Sequence, residues 1–469
     1  MTKPTLEMEA ALIAHVSQTH YTGLSENTIA NCKLLMMDAL GVTFPGSLAP
    51  GCREVINTVG AWPCTEGASL LISGKKVAPP LAALANSTMM HALDFDDTLD
   101  ASALHTCVTV IPAAFAVAES AGKPIHGRDL IAALVLGVDI ICRISLGIQR
   151  PLSWIRTATC GSFGAAAVAG KLLGLDAKAL TNALGAVYSQ TSGNVQGLLE
   201  SRLIKRIQPG FAAAAGVTAG FLAQKGITAS QRFLTGDYGF CNLYEQGEFD
   251  PGPVLANLGR HFVIDDLSIK PYPSCRMTHS SIDAALALRD KLGADVKKID
   301  SIEVEVSSMV AEMVGKPLVI GPNPQVDAQF SIPYTVSCAL SKGDVFLADF
   351  EPEALNQKPV LALADRVVVK ASPALPSKDL LSASLSVKTC EGRVLKESVS
   401  APLGNPARPV SPSQCREKFT KCAAHSRLGI DAGRIEILLS TIEKLETLHD
   451  VSRLIELMIV QPESIETDL

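Results

Sequence analysis

Aromatic side chains are scarce in this sequence: they make up 5% of its 469 residues, whereas 47% are hydrophobic and 19% are charged. This composition excludes a disordered chain and favours tightly packed helices rich in alanine, leucine, valine and glycine over a β-sandwich. The length exceeds what one ordinary hydrophobic core supports. We therefore expect two domains.

The sequence also lacks a basic excess and a long apolar run. The net charge is −6, so there is no electrostatic footprint for nucleic acid. The most apolar stretches, residues 130–142 and 211–223, are shorter than the roughly 20 residues that span a bilayer. Residues 1–7 do not have the layout of a signal peptide. We expect a cytoplasmic protein that binds neither nucleic acid nor a membrane.

Motifs for metals and nucleotides are missing as well. The twelve cysteines contain no C-x-x-C pair, which predicts buried free thiols in a reducing compartment and disfavours an iron–sulfur cluster. No Walker loop, G-x-S-x-G, H-E-x-x-H or dinucleotide fingerprint occurs. The sequence therefore gives no support for metal or nucleotide chemistry, and we expect no cofactor.

Helical periodicity dominates residues 6–257, where strand-like alternation is nearly absent. Ser25 is the expected N-cap of one helix, and Pro79-Pro80 predicts a helix that continues through His91 to Thr98. Further helices are predicted near residues 109–122, 127–146, 161–174, 177–189 and 210–225.

The pattern changes after about Lys270. Strands are predicted at residues 301–306, 366–370, 381–389 and 393–400, with a hairpin turn at 390–392 and helices at 279–292 and 331–340. Helical pattern returns from Ser411 after a linker of prolines and glycine. The predicted fold is mainly α, with a large helical domain formed by both chain ends (residues 1–268 and 404–469) and an inserted, smaller α+β lid domain at residues 269–403.

Residues 91–98, H-A-L-D-F-D-D-T, concentrate polar groups in an otherwise apolar helical pattern. On a helix, His91, Asp94 and Thr98 share one face, whereas Asp96 points elsewhere. Buried polar groups are costly unless they are paired or used, which favours a functional site. The plain alternative is a helix end whose acids face solvent.

Residues 96–100 also match the D-D-x-x-D magnesium–diphosphate signature of isoprenoid synthases. Those enzymes line their hydrocarbon pockets with aromatic residues, which are scarce here, and need a second metal-binding segment that this sequence does not offer. The pattern therefore gives weak support for a metal site.

Other candidates are charged or titratable residues near rigid turns. His105 follows the acidic segment and suits proton transfer near neutral pH. Lys205 and Arg206 stand before an Ala/Gly-rich helix whose N-terminus favours an anion, although a solvated basic turn is equally consistent. Tyr334 begins a helix and is a candidate acid or a core residue.

A second basic stretch, residues 269–279, contains two prolines that fix a rigid turn. It holds Lys270, Arg276 and His279 close together in sequence. Lysine and arginine together suit a substrate with several carboxylates, because arginine can bind one of them in a bidentate manner. The alternative is a boundary loop whose charges face solvent.

Taken together, these segments resemble the MmgE/PrpD family, which includes 2-methylcitrate dehydratase, cis-aconitate decarboxylase and iminodisuccinate epimerase. The resemblance covers nearly the whole chain and is carried by residues 35–46, 91–98, 159–166, 205–206, 270–275, 279, 402–409 and 418–419. It implies a helical domain with an inserted α+β lid, a homodimer, and cofactor-independent proton handling beside a carboxylate of a small polycarboxylate.

The resemblance also implies roles for individual residues. It assigns catalysis to Asp94, Thr98, His105, Lys270 and Tyr334. It also matches Lys205 to a family lysine, and we expect substrate binding by His91, Arg156, Lys205, Arg276 and His279. His105, oriented by Asp94, is the preferred base or acid, with Lys270 or Tyr334 as its counterpart.

Two positions depart from the family pattern, since Ile155 and Gln208 stand where many members have histidine. Losing these imidazoles removes candidate acids, and it favours an epimerase-like isomerase over a lyase. The lyase alternatives are 2-methylcitrate dehydratase and cis-aconitate decarboxylase. A further alternative is a homologue that binds a polycarboxylate without catalysis.

Overall fold

The structure is a computed structural model that describes residues 7–460, apart from the side chains of residues 294 and 295. Within this range it holds 20 α-helices and six short β-strands. The predicted fold class, mainly α with a smaller α+β portion, is confirmed. The twelve cysteines all fall within the described residues and are free thiols; ten are buried as expected, whereas Cys64 is half-buried and Cys390 is exposed.

The chain divides into two compact units. Among the described residues, unit 1 comprises 7–92, Asp96–Leu267 and 411–460. Unit 2 comprises Leu93–Phe95 and Ser268–Val410. The described N-terminal and C-terminal segments therefore both belong to unit 1, whereas Leu93–Phe95 of the acidic segment belongs to unit 2.

Unit 1 is built almost entirely from helices. They are α1 (Met8–Gln18), α2 (Glu26–Gly46), α3 (Cys52–Gly60), α4 (Pro79–His91), α5 (Cys107–Ala118), α6 (Gly127–Gly147), α7 (Arg156–Leu173), α8 (Ala177–Tyr188), α9 (Gln196–Leu199), α10 (Ile204–Gln224), α11 (Phe240–Leu243) and α12 (Pro251–Leu255), followed near the C-terminus by α18 (Pro412–His425), α19 (Ala432–Glu443) and α20 (Ser452–Met458). Helix α6 is long and apolar enough to cross a membrane, but 94% of its most apolar window is buried, as in a core helix.

Small residues allow the central helices of unit 1 to pack closely. Helix α10 packs against α7 and α4, and α7 also contacts α6. A Cβ added at Gly216 of α10 would lie 2.4 Å from the Cβ of Ala165 on α7, closer than two carbons can approach. The Ala/Gly-rich composition of α10 is thus a packing requirement.

Two predicted helix starts, at Ser25 and at Pro79-Pro80, are confirmed, whereas α10 begins at Ile204, so Lys205 and Arg206 lie in its first turn and not before it. The Ser25 side chain accepts a hydrogen bond from the Thr28 N–H at 3.0 Å, so Ser25 is the N-cap of α2. Proline occupies the first positions of α4. The antiparallel hairpin of β1 (Pro63–Ser69) and β2 (Lys76–Val77) was not predicted, because the P-C-T-E-G-A-S segment has almost no β-branched residues.

Unit 2 packs helices on a four-stranded sheet. Its elements are α13 (His279–Leu292), β3 (Ile299–Val306), α14 (Ser308–Val314), α15 (Pro324–Gln329), α16 (Ile332–Lys342), α17 (Lys358–Ala364), β4 (Val367–Ala371), β5 (Ala383–Thr389) and β6 (Val394–Val399). The strand order is β4-β3-β5-β6, with β3 and β4 parallel and the other pairs antiparallel. Val304 on β3 lies opposite Leu385 on β5 in the core. The four strands and the β5–β6 hairpin are confirmed.

Candidate active site

The acidic segment leaves the helix earlier than its pattern predicts. Helix α4 ends at His91, and Asp94 has a left-handed backbone conformation with φ of 52°. Aspartate tolerates this conformation, and its side chain competes with helical hydrogen bonds. The predicted helix through Thr98 is therefore wrong, and so is the shared helical face of His91, Asp94 and Thr98.

Three side chains of unit 1 converge instead, and we call them the histidine cluster: His91, Asp96 and His105. The Nδ1 atoms of the two histidines lie 2.8 Å (His91) and 3.0 Å (His105) from Oδ2 of Asp96. The two rings meet edge to face, with centroids 4.8 Å apart. The side chain of His105 is 15% exposed, against 1% for His91 and 0% for Asp96. Within the cluster, His105 is the member that a small molecule can reach.

Hydrogen bonding assigns the tautomer of His105. Its Nδ1 lies 2.7 Å from the carbonyl oxygen of Asp97, and a carbonyl oxygen can only accept. Nδ1 therefore carries the proton and donates it, with Asp96 as a second contact at 3.0 Å. In the neutral ring the lone pair then lies on Nε2, where it can take a proton from a ligand.

Burial and charge set the protonation of the other two members. Burial favours the neutral acid of Asp96, but the neighbouring imidazoles of His105 and His91 outweigh it and hold the pKa of Asp96 well below its usual range. Burial lowers the pKa of His91 to about 4, and the positive charge of Lys205 adds to this effect. At neutral pH the cluster therefore holds a carboxylate and a neutral His91.

The neutral state of His91 has a consequence for stability. An exposed imidazole titrates near 6.5, so between pH 6.5 and 4 the unfolded chain binds a proton that the folded chain excludes. The free energy of unfolding thus falls as the pH is lowered through this range. Over this pH range we expect the free energy of unfolding of the wild type to fall by up to about 3 kcal/mol more than that of a His91→Asn variant.

Urea unfolding of both proteins at several pH values between 4.5 and 7.5 measures this difference directly. His20→Asn, at an exposed histidine, is the matched control. A wild-type and a His91→Asn protein with parallel pH dependence would contradict a buried, neutral His91.

Hydrogen bonds hold the backbone of His105 and of the residues that follow it. Asp97 accepts hydrogen bonds from the Thr106 N–H (2.9 Å) and hydroxyl (2.7 Å) and from the Cys107 N–H (3.1 Å), so it caps the start of α5. The His105 N–H donates to Oγ1 of Thr157 on α7 at 3.1 Å. These contacts fix the position of the imidazole, which is the requirement for efficient proton transfer.

The remaining candidates of unit 1 lie at helix starts and beside the acidic segment. Lys205, half-buried in the first turn of α10, is near enough for its charge to affect His91. Arg156, in the first turn of α7, donates to Oγ of Ser102 at 3.1 Å and to the carbonyl of Arg150 at 2.9 Å. Arg156 therefore anchors the loop that leads to His105. Thr98 is buried directly after Asp97.

Unit 2 contains a basic cluster of Lys270, Arg276 and His279, all buried. Nζ of Lys270 donates to the carbonyl of Asp94 at 2.9 Å and lies 3.4 Å from its carboxylate Oδ1. Gln329 also holds the Leu93–Phe95 segment, because its side-chain amide donates to the carbonyl of Leu93 at 2.8 Å. Lys270 thus pairs with the Asp94 carboxylate, and Arg276 is a second buried basic residue of the same cluster.

Two candidates of unit 2 are engaged in internal contacts. His279 lies with Nε2 3.2 Å from the carbonyl of Ser274 and Nδ1 3.2 Å from Nη1 of Arg276. Burial and the neighbouring cations Arg276 and Lys270 hold the pKa of His279 well below its usual range, so it is a neutral ring that accepts from Arg276. This geometry favours orientation of Arg276 over direct contact with a substrate.

Tyr334 is buried in the core of unit 2. Its hydroxyl donates to the carbonyl of Asp349, and burial raises the pKa of the phenol above its usual range. The placement favours packing over the proton transfer that the sequence suggested.

The histidine cluster also has the donor types of a metal site, since its three ligand atoms lie within 4.8 Å of one another. Metal binding requires the ring lone pairs to face the ion. Here Nδ1 of His105 is a donor to a carbonyl oxygen. The hydrogen-bond geometry therefore fits a proton-transfer dyad better than a metal centre.

Sequence reasoning missed Asp96, which lies at the centre of the histidine cluster. The assumption of a continuous helix placed its side chain away from His91. A signal was available in the run of aspartates, which are poor helix formers and favour turns. That signal predicts a break after His91 and leaves Asp96 free to turn back toward it.

The two positions that depart from the family pattern carry no imidazole and have structural contacts. Ile155 is the buried N-cap residue of α7. Gln208 pairs with the backbone of Asn194, accepting from its N–H at 2.7 Å and donating to its carbonyl at 3.1 Å. Gln208 therefore fastens a loop.

Comparison with known proteins agrees with this architecture. The MmgE/PrpD N-terminal domain model matches residues 10–251, and the MmgE/PrpD C-terminal domain model matches residues 272–444. A cis-aconitate decarboxylase-like protein of Aspergillus oryzae is 26% identical over 97% of this chain and 98% of its own length. Cis-aconitate decarboxylase of Aspergillus terreus is 26% identical (93% and 92% covered), and that of Mus musculus is 27% identical (98% and 94%). These relatives support an enzyme of the lyase type. The chain belongs to the MmgE/PrpD family.

Proposed function

We propose that the protein is a cofactor-independent lyase that handles a proton beside a carboxylate of a small di- or tricarboxylate, with decarboxylation as the favoured reaction. The observation that carries the proposal is the His105–Asp96 pair, in which a partly exposed imidazole keeps Nε2 available and a buried carboxylate orients the ring. The names of the relatives favour decarboxylation over loss of water.

His105 can either remove a proton from the substrate or return one to it. Neutral His105 can remove a proton from a carbon next to a carboxylate, and the electron pair then delocalises into that carboxylate. In a decarboxylation, loss of CO₂ leaves the electron pair on carbon, and protonated His105 returns a proton to it. Asp96 stabilises the imidazolium in both cases and does not itself need to change protonation.

Positive charge near the cluster supports this chemistry. The charge of Lys205 reaches His91, and we assign Lys205 to binding a substrate carboxylate and to stabilising the negative charge that develops on it. We assign carboxylate binding in unit 2 to Lys270 and Arg276, which are buried cations there. Neither role requires a metal, so activity is expected to survive EDTA.

An isomerase of the epimerase type is the second candidate. Ile155 supplies no proton, and the Gln208 amide is paired with Asn194. A reaction that relies on few imidazoles is therefore consistent with this chain. Epimerisation requires one proton donor on each face of the carbanion, and His105 would be one of the pair.

Proton NMR in D₂O separates these functions. The wild-type protein, treated with EDTA, is incubated with citrate, methylcitrate, cis-aconitate, iminodisuccinate and malate. A decarboxylase releases CO₂ and incorporates deuterium into the product, and a dehydratase forms an alkene. An epimerase exchanges the α proton of its substrate for deuterium and changes the mass of the acid in no other way. Thermal stabilisation by an acid without exchange or product would indicate a binding protein instead.

A further inference from the structure

A buried ion pair of unit 1 lies outside the residues that the proposed mechanism uses. Asp38 is in the middle of α2, and its Oδ1 lies 2.5 Å from Nζ of Lys418 on α18. The side chains of Asp38 and Lys418 are only 1% and 8% exposed. Oδ2 of Asp38 is buried and has no hydrogen-bond partner among the described residues. Desolvation offsets most of the attraction in such a pair, so a gain in stability does not account for it.

Close packing fixes the position of the ion pair. Helix α18 lies against α2 at Gly41, where an added Cβ would come 3.0 Å from Cα of Phe419. Phe419 follows Lys418 directly, and its ring meets that of Phe44 edge to face. Helix α2 also contacts α4 and α5, the helices that precede and follow the acidic segment. Asp38 therefore belongs to the helix that connects α18 with the surroundings of the histidine cluster.

The Asp38 carboxylate is near the acidic segment as well as near Lys418. Burial raises the pKa of Asp38 to about 6, and the negative charges of Asp97 and Asp96 add to this effect, whereas the Lys418 cation opposes it. Asp38 is therefore ionised at neutral pH, and the charge of Lys418 keeps it so. Because Asp96 contacts the His105 ring directly, the Asp38 charge adds to a negative region beside the imidazole.

The other titratable groups near the ion pair and the imidazole are neutral. Cys415 and Cys422 on α18 are near enough for the Asp38 charge to act on them, and burial raises the pKa of both thiols above its usual range. His91, beside His105, is neutral because burial lowers its pKa to about 4. These groups do not compensate a change of charge in the ion pair, so we expect such a change to act on His105.

We propose that Asp38 is a positioning residue of the proton-transfer site: with Lys418 as its counterion, its carboxylate stabilises the imidazolium form of His105. This inference rests on the proposed function, and it deepens it by giving the C-terminal helix α18 a part in the reaction. The negative end of the ion pair is on α2, which contacts α4 and α5, and the positive end is on α18. The imidazolium is therefore attracted by Asp38 more strongly than it is repelled by Lys418.

The titration of the His105 ring tests the inference without reference to turnover. Its C–H signals are followed by NMR in histidine-labelled protein as the pH is changed, and His105→Gln assigns them. Asp38→Asn leaves the Lys418 cation without this counterion, so we expect the titration midpoint to fall by about one pH unit, the effect of one charge roughly 10 Å away. Asp38→Asn/Lys418→Met removes both charges, and we expect a midpoint at most about half a unit below the wild-type value.

Glu417→Gln is the matched control, because it removes the same charge from an exposed ion pair of α18, in which Glu417 lies 2.8 Å from Lys421. We expect it to leave the His105 midpoint unchanged. A packing role for the buried pair predicts that the double variant is affected at least as strongly as Asp38→Asn. That result, or an unchanged midpoint in Asp38→Asn, would overturn the inference. If Asp38→Asn does not fold, a midpoint in the double variant equal to or above the wild-type value would overturn it.

Turnover separates this inference from the proposed function. If a polycarboxylate is turned over, the pH profile of kcat in Asp38→Asn is expected to shift with the His105 midpoint, while KM changes less than about twofold. If the midpoints change in the expected order but no acid is turned over, the coupling of Asp38 to His105 stands and the proposed function falls. If turnover depends on His105 but its pH profile is the same in all three proteins, the proposed function stands and the ion pair has only a structural role.

Discussion

His105→Gln is expected to lower the rate of deuterium exchange into a bound polycarboxylate by about 10²–10⁴-fold, the usual contribution of a general base or acid. Glutamine retains a polar side chain of similar length but cannot take up or release a proton near neutral pH. His105 is the partly exposed member of the histidine cluster, so its loss removes the group that meets the substrate.

His20→Gln is the matched control for this variant, because His20 is exposed and lies before α2. Its exchange rate is expected to equal that of the wild type. Thermal unfolding of both variants establishes that the comparison is made on folded protein. An exchange rate of His105→Gln within threefold of wild type would show that another group moves the proton.

Asp96→Asn is expected to lower kcat by about 10²–10⁴-fold while KM changes only a few-fold. Both imidazoles of the histidine cluster contact the same carboxylate oxygen, Oδ2 of Asp96. The asparagine amide is uncharged, so it cannot stabilise the imidazolium of His105, and its NH₂ group would take the buried place of Oδ1, which has no hydrogen-bond partner among the described residues. Asp96 is a positioning residue here, so substrate binding is largely retained.

A spectroscopic signal separates positioning from a purely structural role. The hydrogen-bonded imidazole N–H protons of the wild type are expected at low field in the proton NMR spectrum, and Asp96→Asn is expected to remove or shift them. Asp237→Asn, at an exposed aspartate, is the matched control and leaves both kcat and these signals unchanged. A normal kcat in Asp96→Asn would contradict the orienting role of the carboxylate.

Periodicity predicted the helices around the site but not the geometry of the site itself. The start of α4 follows from Pro79-Pro80, whereas its end depends on the left-handed backbone at Asp94, which no helical repeat encodes. His91 and His105 meet only because the chain turns between them. The sequence-based prediction of a continuous helix therefore named Asp94 as the residue that orients His105, whereas Asp96 is the residue that contacts the His105 ring.

Other contacts depended on segments distant in sequence. Gln208 was noted as a missing histidine, but its pairing with Asn194 becomes visible only when the loop lies against α10. Tyr334 carries a reactive group by type, and only the packing of unit 2 shows that its hydroxyl donates to Asp349. Residue type thus indicated chemistry, while tertiary contacts determined which groups are available for it.

The most direct test of the central claim is proton NMR of the wild-type protein in D₂O with cis-aconitate and related small polycarboxylates, in the presence of EDTA. We expect at least one acid to incorporate deuterium beside a carboxylate, and we expect His105→Gln to lose that incorporation. Binding of the acids without any exchange or product, or exchange that disappears with EDTA, would contradict it.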